Sequence, residues 1–235
     1  MRGPQTRAVD LTSGAASQCR STAGLQSLGA APWRGLLRGE LPIAFALTGR
    51  WAHLRERLHH HAPAADDDPS LLWAAVAVIV APDPDAILLI RRAERTGDPW
   101  SGHMALPGGR REAEDPDLLS TAIRETFEEV GVELSREDLA GNLDDVVPRT
   151  PVLPPIAVRP FVHILGARPH VSLNPEVTSA SWVSTSYLLR PGTHHSVRLD
   201  VGGQSRVVQA YELEDGMVWG MTERIITSFL KLLTN

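Results

Sequence analysis

Residues 108–132 read GGRREAEDPDLLSTAIRETFEEVGV. A glycine pair opens the stretch, Asp115–Pro116 follows, and RETFEEVGV closes it with Glu125, Glu128 and Glu129 beside Arg124. Asp then Pro is a helix-start signal: the carboxylate caps free N–H groups, and proline lacks the N–H that would go unpaired. Leu119, Ile123 and Val130 mark an apolar stripe with Phe127 near its edge, and Gly131 suits a left-handed helix end. The spacing predicts a helix over 116–130. On it the three carboxylates share one side of the last turns.

One reading is a solvated charged face, with Arg124 and Glu128 as an i,i+4 ion pair. The placement is awkward for that. Negative charge is disfavoured at a helix C-terminus, and clustered carboxylates raise one another's pKa. A hard divalent cation relieves both problems. Mg²⁺ is commonly held by a few carboxylates together with substrate phosphates. The turn LPGG at 106–109 can bring backbone groups to the same ion or to a phosphate. The residues alone thus point to metal-assisted chemistry on a phosphate compound.

Outward from this stretch, LLWAAVAVIVAP at 71–82 and AILLIRR at 86–92 read as strands around the turn DPD. LDDVVP at 143–148 and IAVRPFVHIL at 156–165 read as strands, NPEVTSASWV at 174–183 as loop and strand, and HSVRLDV and RVVQAYEL as a hairpin around GGQS. WGMTERIITSFLKLL at 219–233 reads as an amphipathic helix, and so does TGRWAHLRERLHHH at 48–61, from the stripe Trp51, Leu54 and Leu58. The consecutive histidines His59, His60 and His61 point in different directions on a helix and make no dedicated metal site. Irregular alternation of strands with few helices predicts a layered α/β or α+β domain. The expected organisation is a disordered extension over 1–45, helix and linker over 46–70, and the main domain over 71–235. An organellar transit peptide is the alternative for the Arg- and Ser-rich start.

The chain of 235 residues carries a formal net charge of -5, so no global positive field draws nucleic acid. No apolar run reaches the roughly 18–20 residues that span a bilayer. Cys19 is the only cysteine, so no intrachain disulfide forms, which fits a reducing, cytoplasmic setting.

The stretch resembles the Nudix box, G-x5-E-x7-R-E-U-x-E-E-x-G-U with U apolar. Arg124, Glu125, Glu128, Glu129, Gly131 and Val132 match, and Thr126 stands where an apolar residue is usual. Asp115 takes the place of the first glutamate, with eight residues rather than seven before Arg124. The resemblance implies a Nudix fold, an α/β/α sandwich with a mixed central sheet, and hydrolysis of nucleoside diphosphates linked to another moiety. It implies that Glu128 and Glu129 bind Mg²⁺ or Mn²⁺ and that Glu125 ligates metal or serves as base. It further implies that Arg124 holds the glutamates and that a backbone carbonyl of the Gly108–Gly109 turn completes the shell. Glu176 lies where family members often place another acidic group; a surface glutamate is the other reading.

LLIRRAERTGDPWSGHMALPGGR at 88–110, NPEVTSASWV and VWGMTERII at 218–226 are similar to segments of the coenzyme A pyrophosphatase subgroup. That subgroup's spacing puts Asp98 where an arginine belongs; Arg91, Arg92 and Arg95 nearby are either substitutes for the 3′-phosphate or plain surface charges. The resemblance places coenzyme A and its thioesters first among substrates. NADH, ADP-ribose, nucleotide sugars and nucleoside triphosphates are the alternatives. His103 is a candidate to face the diphosphate, with packing against strands as the competing reading, and Trp100 to stack on adenine, with a core or loop cluster as the other reading. His194 and His195 read as a turn in PGTHHSV, with substrate contact as the functional alternative. A non-catalytic ligand sensor of the same fold is the competing class, but such domains typically lose box carboxylates. The expected partner is a small nucleotide, with no nucleic acid and no membrane, and the expected state is a monomer or homodimer.

Overall fold

The long apolar runs become strands buried on both faces. β1 (Leu72–Pro82) follows α1 (Arg50–His60) and turns into β2 (Asp85–Arg92). Ala74, Val78, Val80, Ile87 and Leu89 enter one core cluster, while Ala77, Ile79, Leu88 and Ile90 enter another. Such strands need a near-continuous apolar sequence rather than alternation. The computed structural model describes residues 49–66, 68, 70–82, 85–96, 101–148, 155–201 and 204–234. The expected extension over 1–45, Cys19, Asp98 and Trp100 lie outside the described residues.

After β2 come β3 (Met104–Ala105), β4 (Gly108–Arg110), α2 (Leu118–Val130), β5 (Leu139–Asn142), β6 (Ile156–Ile164) and β7 (Val177–Ser184). The chain ends with α3 (Thr185–Leu188), β8 (His194–Val201), β9 (Gln204–Leu213), β10 (Gly216–Trp219) and α4 (Gly220–Thr234). The main sheet runs β3-β2-β1-β6-β5, with β4 added on β1 and β7 on β2. β1 and β6 are parallel and the other pairs antiparallel, so the sheet is mixed. Val130, Leu119 and Ala122 of α2 cover one face. Leu54 and Leu58 of α1, with Ile226 and Phe229 of α4, cover the other. β8, β9 and β10 form a separate antiparallel sheet. The expected α/β/α sandwich is thus the observed one. No helix among the described residues is long and apolar enough to cross a membrane.

Three local expectations are corrected. The strand expected at 143–148 is instead Leu139–Asn142, and of the later stretch only Val146 bridges, to Val158. Asp145 there is drawn into a bidentate pair with Arg159 (2.8 Å to each oxygen) and also accepts from Asp66 N. The stretch is therefore pinned as a loop. The glycine in LAGN hid the true strand; Gly141 (φ +153) leaves room for α1, since a Cβ there would lie 2.9 Å from that of Leu58. The second correction concerns α2, which starts two residues later than expected. Asp117, not Asp115, caps it by accepting from Ser120 N at 2.7 Å. Gly131 ends it in the left-handed region as expected (φ 65). The third is that His194 and His195 belong to β8 rather than to a turn.

Leu54 is 1% exposed and ties α1 to α4 and the sheet. Leu54→Ala should lower unfolding free energy by about 3 kcal/mol, a large-to-small core loss. Leu189→Ala, at an exposed position, should stay within about 0.5 kcal/mol. Urea unfolding of the two variants checks this.

Candidate active site

Gly108 and Gly109, expected in a turn, instead open strand β4, and this glycine edge and α2 meet at contact distance because two side chains are missing. β4 lies antiparallel on β1, with Ala75 opposite Gly109 and Val76 opposite Gly108. Gly108 has φ +146, and a Cβ on it would fall 2.2 Å from Ala75 O. A Cβ on Gly109 would fall 2.4 Å from the carboxyl carbon of Glu125. Ala77 N donates to Pro107 O and Arg111 N to Trp73 O, which makes Val76–Gly108 a non-hydrogen-bonded pair. Gly108 therefore turns its N–H and C=O away from β1. Its N–H donates to Glu129 Oε2 at 2.9 Å.

Each carboxylate has a different setting. Glu129 is 3% exposed and has Arg92 Nη1 at 3.9 Å as a distant cation. Burial, which disfavours the charged form, raises its pKa to about 7; the Gly108 N–H only partly offsets this. Burial also raises Glu125, against the pull of Arg124 Nη1 at 3.0 Å. Glu128 is exposed and meets the same Nη1 at 3.0 Å. Thr126, where the box usually has an apolar residue, is fully buried, and its hydroxyl has no hydrogen-bond partner.

Arg124 is itself gripped from behind. Asp115 accepts from its Nε at 3.0 Å and its Nη2 at 2.9 Å, and Arg110 O accepts from Nη2 at 3.2 Å. Asp115 is buried and also accepts from Thr121 Oγ1 and Glu112 N. The Arg124 hydrogen bonds hold its carboxyl well below the usual range, and the same contacts push the guanidinium up. The helix-start reading of Asp115 missed this role; the box pattern, which places an acid there, carried the signal.

The other candidate residues divide. Arg92 stands beside Glu129. Glu176 ion-pairs with Arg95 at 2.9 Å and accepts at its carbonyl from Ala93 N, while Asn174 N donates to Glu129 O. Its negative charge contributes to the raised pKa of Glu129, so this loop borders the site. Arg91 is committed to carbonyls, Gly102 O at 3.1 Å and Asp215 O. His103 packs on Trp219. His194 pairs with Glu223 at 2.8 Å on α4 and stacks on Tyr211, away from α2.

As the side chains stand, no three acidic, histidine or cysteine groups among the described residues close on a single ion position. Arg124 holds Glu125 and Glu128 instead. The donor set nonetheless fits a hard cation. It offers three carboxylates within two helical turns, one of them buried with a raised pKa, and a glycine peptide edge turned toward them.

The sequence profile of the NUDIX domain matches residues 71–199. Over 119 residues the chain is 40% identical to an uncharacterized protein of Schizosaccharomyces pombe, a match covering 48% of this chain and 36% of that one. It is 30% identical over 151 residues to a protein of Mus musculus described as a mitochondrial coenzyme A diphosphatase, covering 63% of this chain and 70% of that relative. A MutT/nudix family protein from Enterococcus faecalis superposes with a TM-score of 0.51 at 19% identity, covering 77% of this chain and 69% of that one, which shows the shared fold.

The raised pKa of Glu129 has a stability consequence in the metal-free protein. Below pH 4.5 the group is protonated in both folded and unfolded chains and costs nothing. As pH rises from 4.5 to about 7, the unfolded chain releases the proton and the folded one keeps it, so stability falls. Above that the cost is complete, about 3 kcal/mol. Glu129→Gln should therefore stabilise the metal-free protein by about 1–3 kcal/mol at pH 8 and little at pH 4.5. Urea unfolding with EDTA at the two pH values checks this.

Proposed function

The chain belongs to the Nudix hydrolase family, and from that premise we propose that it hydrolyses coenzyme A and its thioesters at the diphosphate. Water oxygen bonds to one phosphorus, the bridging P–O bond breaks, and the products are 3′,5′-ADP and 4′-phosphopantetheine or its acyl form. The observation that carries the diphosphatase reading is the apposition of Glu125, Glu128 and Glu129 to the outward peptide edge of Gly108. Support for coenzyme A comes from the mouse relative's description and from the resemblance over 88–110.

Members of the family typically use a divalent metal. Glu125, Glu128, Glu129 and the Gly108 carbonyl would hold Mg²⁺ or Mn²⁺ here. The ion's contribution when bound is to polarise the diphosphate and acidify a water. This chain's residues do the rest. Arg124, held by Asp115, keeps Glu125 and Glu128 on one side of the helix. Glu125, partly buried with Arg124 Nη1 at 3.0 Å, either helps ligate the ion or takes the water's proton. Arg92 supplies positive charge beside Glu129 for the phosphate oxygens.

The test is turnover of the whole chain with Mg²⁺ or Mn²⁺ on coenzyme A, dephospho-coenzyme A, NADH, ADP-ribose and GTP. Coenzyme A should be the preferred substrate. Equal cleavage of coenzyme A and its dephospho form would mean the 3′-phosphate goes unread, and preference for another diphosphate would overturn the substrate assignment. Binding without cleavage of any of them would favour the ligand sensor. Glu129→Gln should lose turnover by on the order of 10²-fold or more. Wild-type rates in that variant at saturating Mg²⁺ would overturn the metal assignment.

A further inference from the structure

Beside the diphosphate site stands an aromatic pair that the hydrolytic chemistry does not use. Across β2 and β3, Ile90 faces Ala105 and Arg91 faces Met104. Arg92 N donates to His103 O at 3.0 Å, so His103 comes opposite Arg92. Residues opposite one another on paired strands share a face, and faces alternate along the strand. Ile90 and Ala105 pack with Val130 under α2, and Met104 enters the core under α4. Arg92 and His103 therefore emerge on the α2 face, where the Arg92 guanidinium reaches Glu129.

β10 brings the second ring. Val218 is fully buried in the core under α4, so Trp219, the next residue, points the other way. Its indole lies against the His103 imidazole, with centroids 4.8 Å apart and planes tilted by 57°. Both side chains are half-buried, which leaves part of this surface open. Arg91 fixes the spacing. It donates to Gly102 O, just before His103, and to Asp215 O, in the turn that opens β10. Gly216 makes room for it at φ +148, since a Cβ there would lie 2.5 Å from Arg91 Nη2.

We propose that Trp219 and His103 form the wall on which the adenine of the substrate stacks, with the diphosphate anchored next to it between Arg92 and the α2 carboxylates. The inference rests on the diphosphatase reading above. His103 sits about 5 Å across the strand pair from Arg92, on the side where the phosphates would lie. An indole face is a general platform for a base, and losing one weakens binding by roughly 5- to 100-fold.

The experiment compares coenzyme A with a diphosphate diester in which methyl replaces the adenosine 3′-phosphate unit, using the full chain with Mn²⁺. Trp219→Ala should raise KM for coenzyme A roughly tenfold, with kcat within about twofold, and leave the methyl diester unchanged. Trp219→Phe, which keeps a ring, should restore most of the affinity. Equal losses on the two diesters in His103→Ala would overturn the proposal, and this milder variant decides the matter should Trp219→Ala lose both substrates together. A wild-type chain that cleaves the methyl diester as readily as coenzyme A, with no response to Trp219, overturns the stacking wall alone. A wild-type chain that leaves both diesters intact overturns the coenzyme A assignment and this inference with it.

Discussion

The close approach of α2 to the backbone of β4 is the constraint on which the site depends. A side chain on Gly109 would occupy the space of the Glu125 carboxylate, and one on Gly108 would collide with β1. With both absent, a helix bearing three carboxylates lies against a peptide edge facing it. That edge supplies a donor to Glu129 and a carbonyl on the same side. The glycines thus act by subtraction, since the acidic cluster and the turn could not otherwise be neighbours.

Charge in the site is arranged in tiers. The most tightly fixed is Asp115, low in pKa, which forms a bidentate ion pair with Arg124. Breaking one partner of such a pair leaves an uncompensated buried charge. The second tier, Glu125 and Glu129, is pushed by burial toward the neutral form. Glu128 is the outer tier, exposed and tethered only through Arg124.

The helix with its carboxylates was legible from spacing, because 3.6 residues per turn fixes which side chains coincide, and the glycine C-cap followed from backbone sterics. The double-sided burial of β1 and β2 was legible as unbroken apolar runs. Three features were not. Asp115 reads locally as a cap, and only its tertiary partner nine residues on reveals it as a buried ion. LAGN carries little strand propensity, and its strand exists because Gly141 admits α1. Arg91 and Arg92 are adjacent basic residues in sequence, but strand alternation sends one to backbone carbonyls under the small sheet and the other to Glu129. Which does which depends on register, and a single sequence leaves register open.

The parallel pairing of β1 with β6 joins Leu72 to Ile156 and continues to Val80 and Ile164. Every residue of the glycine turn and of α2 lies in the chain between those two strands. Parallel pairs over such separations are slow to close, because the entropy of the intervening loop is lost before the contacts form. During synthesis the whole acidic helix leaves the ribosome before β6 does. For that interval β1 has its hairpin partner β2 and β4 but an unpaired edge of Ala and Val where β6 belongs, the kind of edge that recruits other chains. The chain that carries Gly108, Gly109 and the α2 carboxylates thus emerges while that edge is still open.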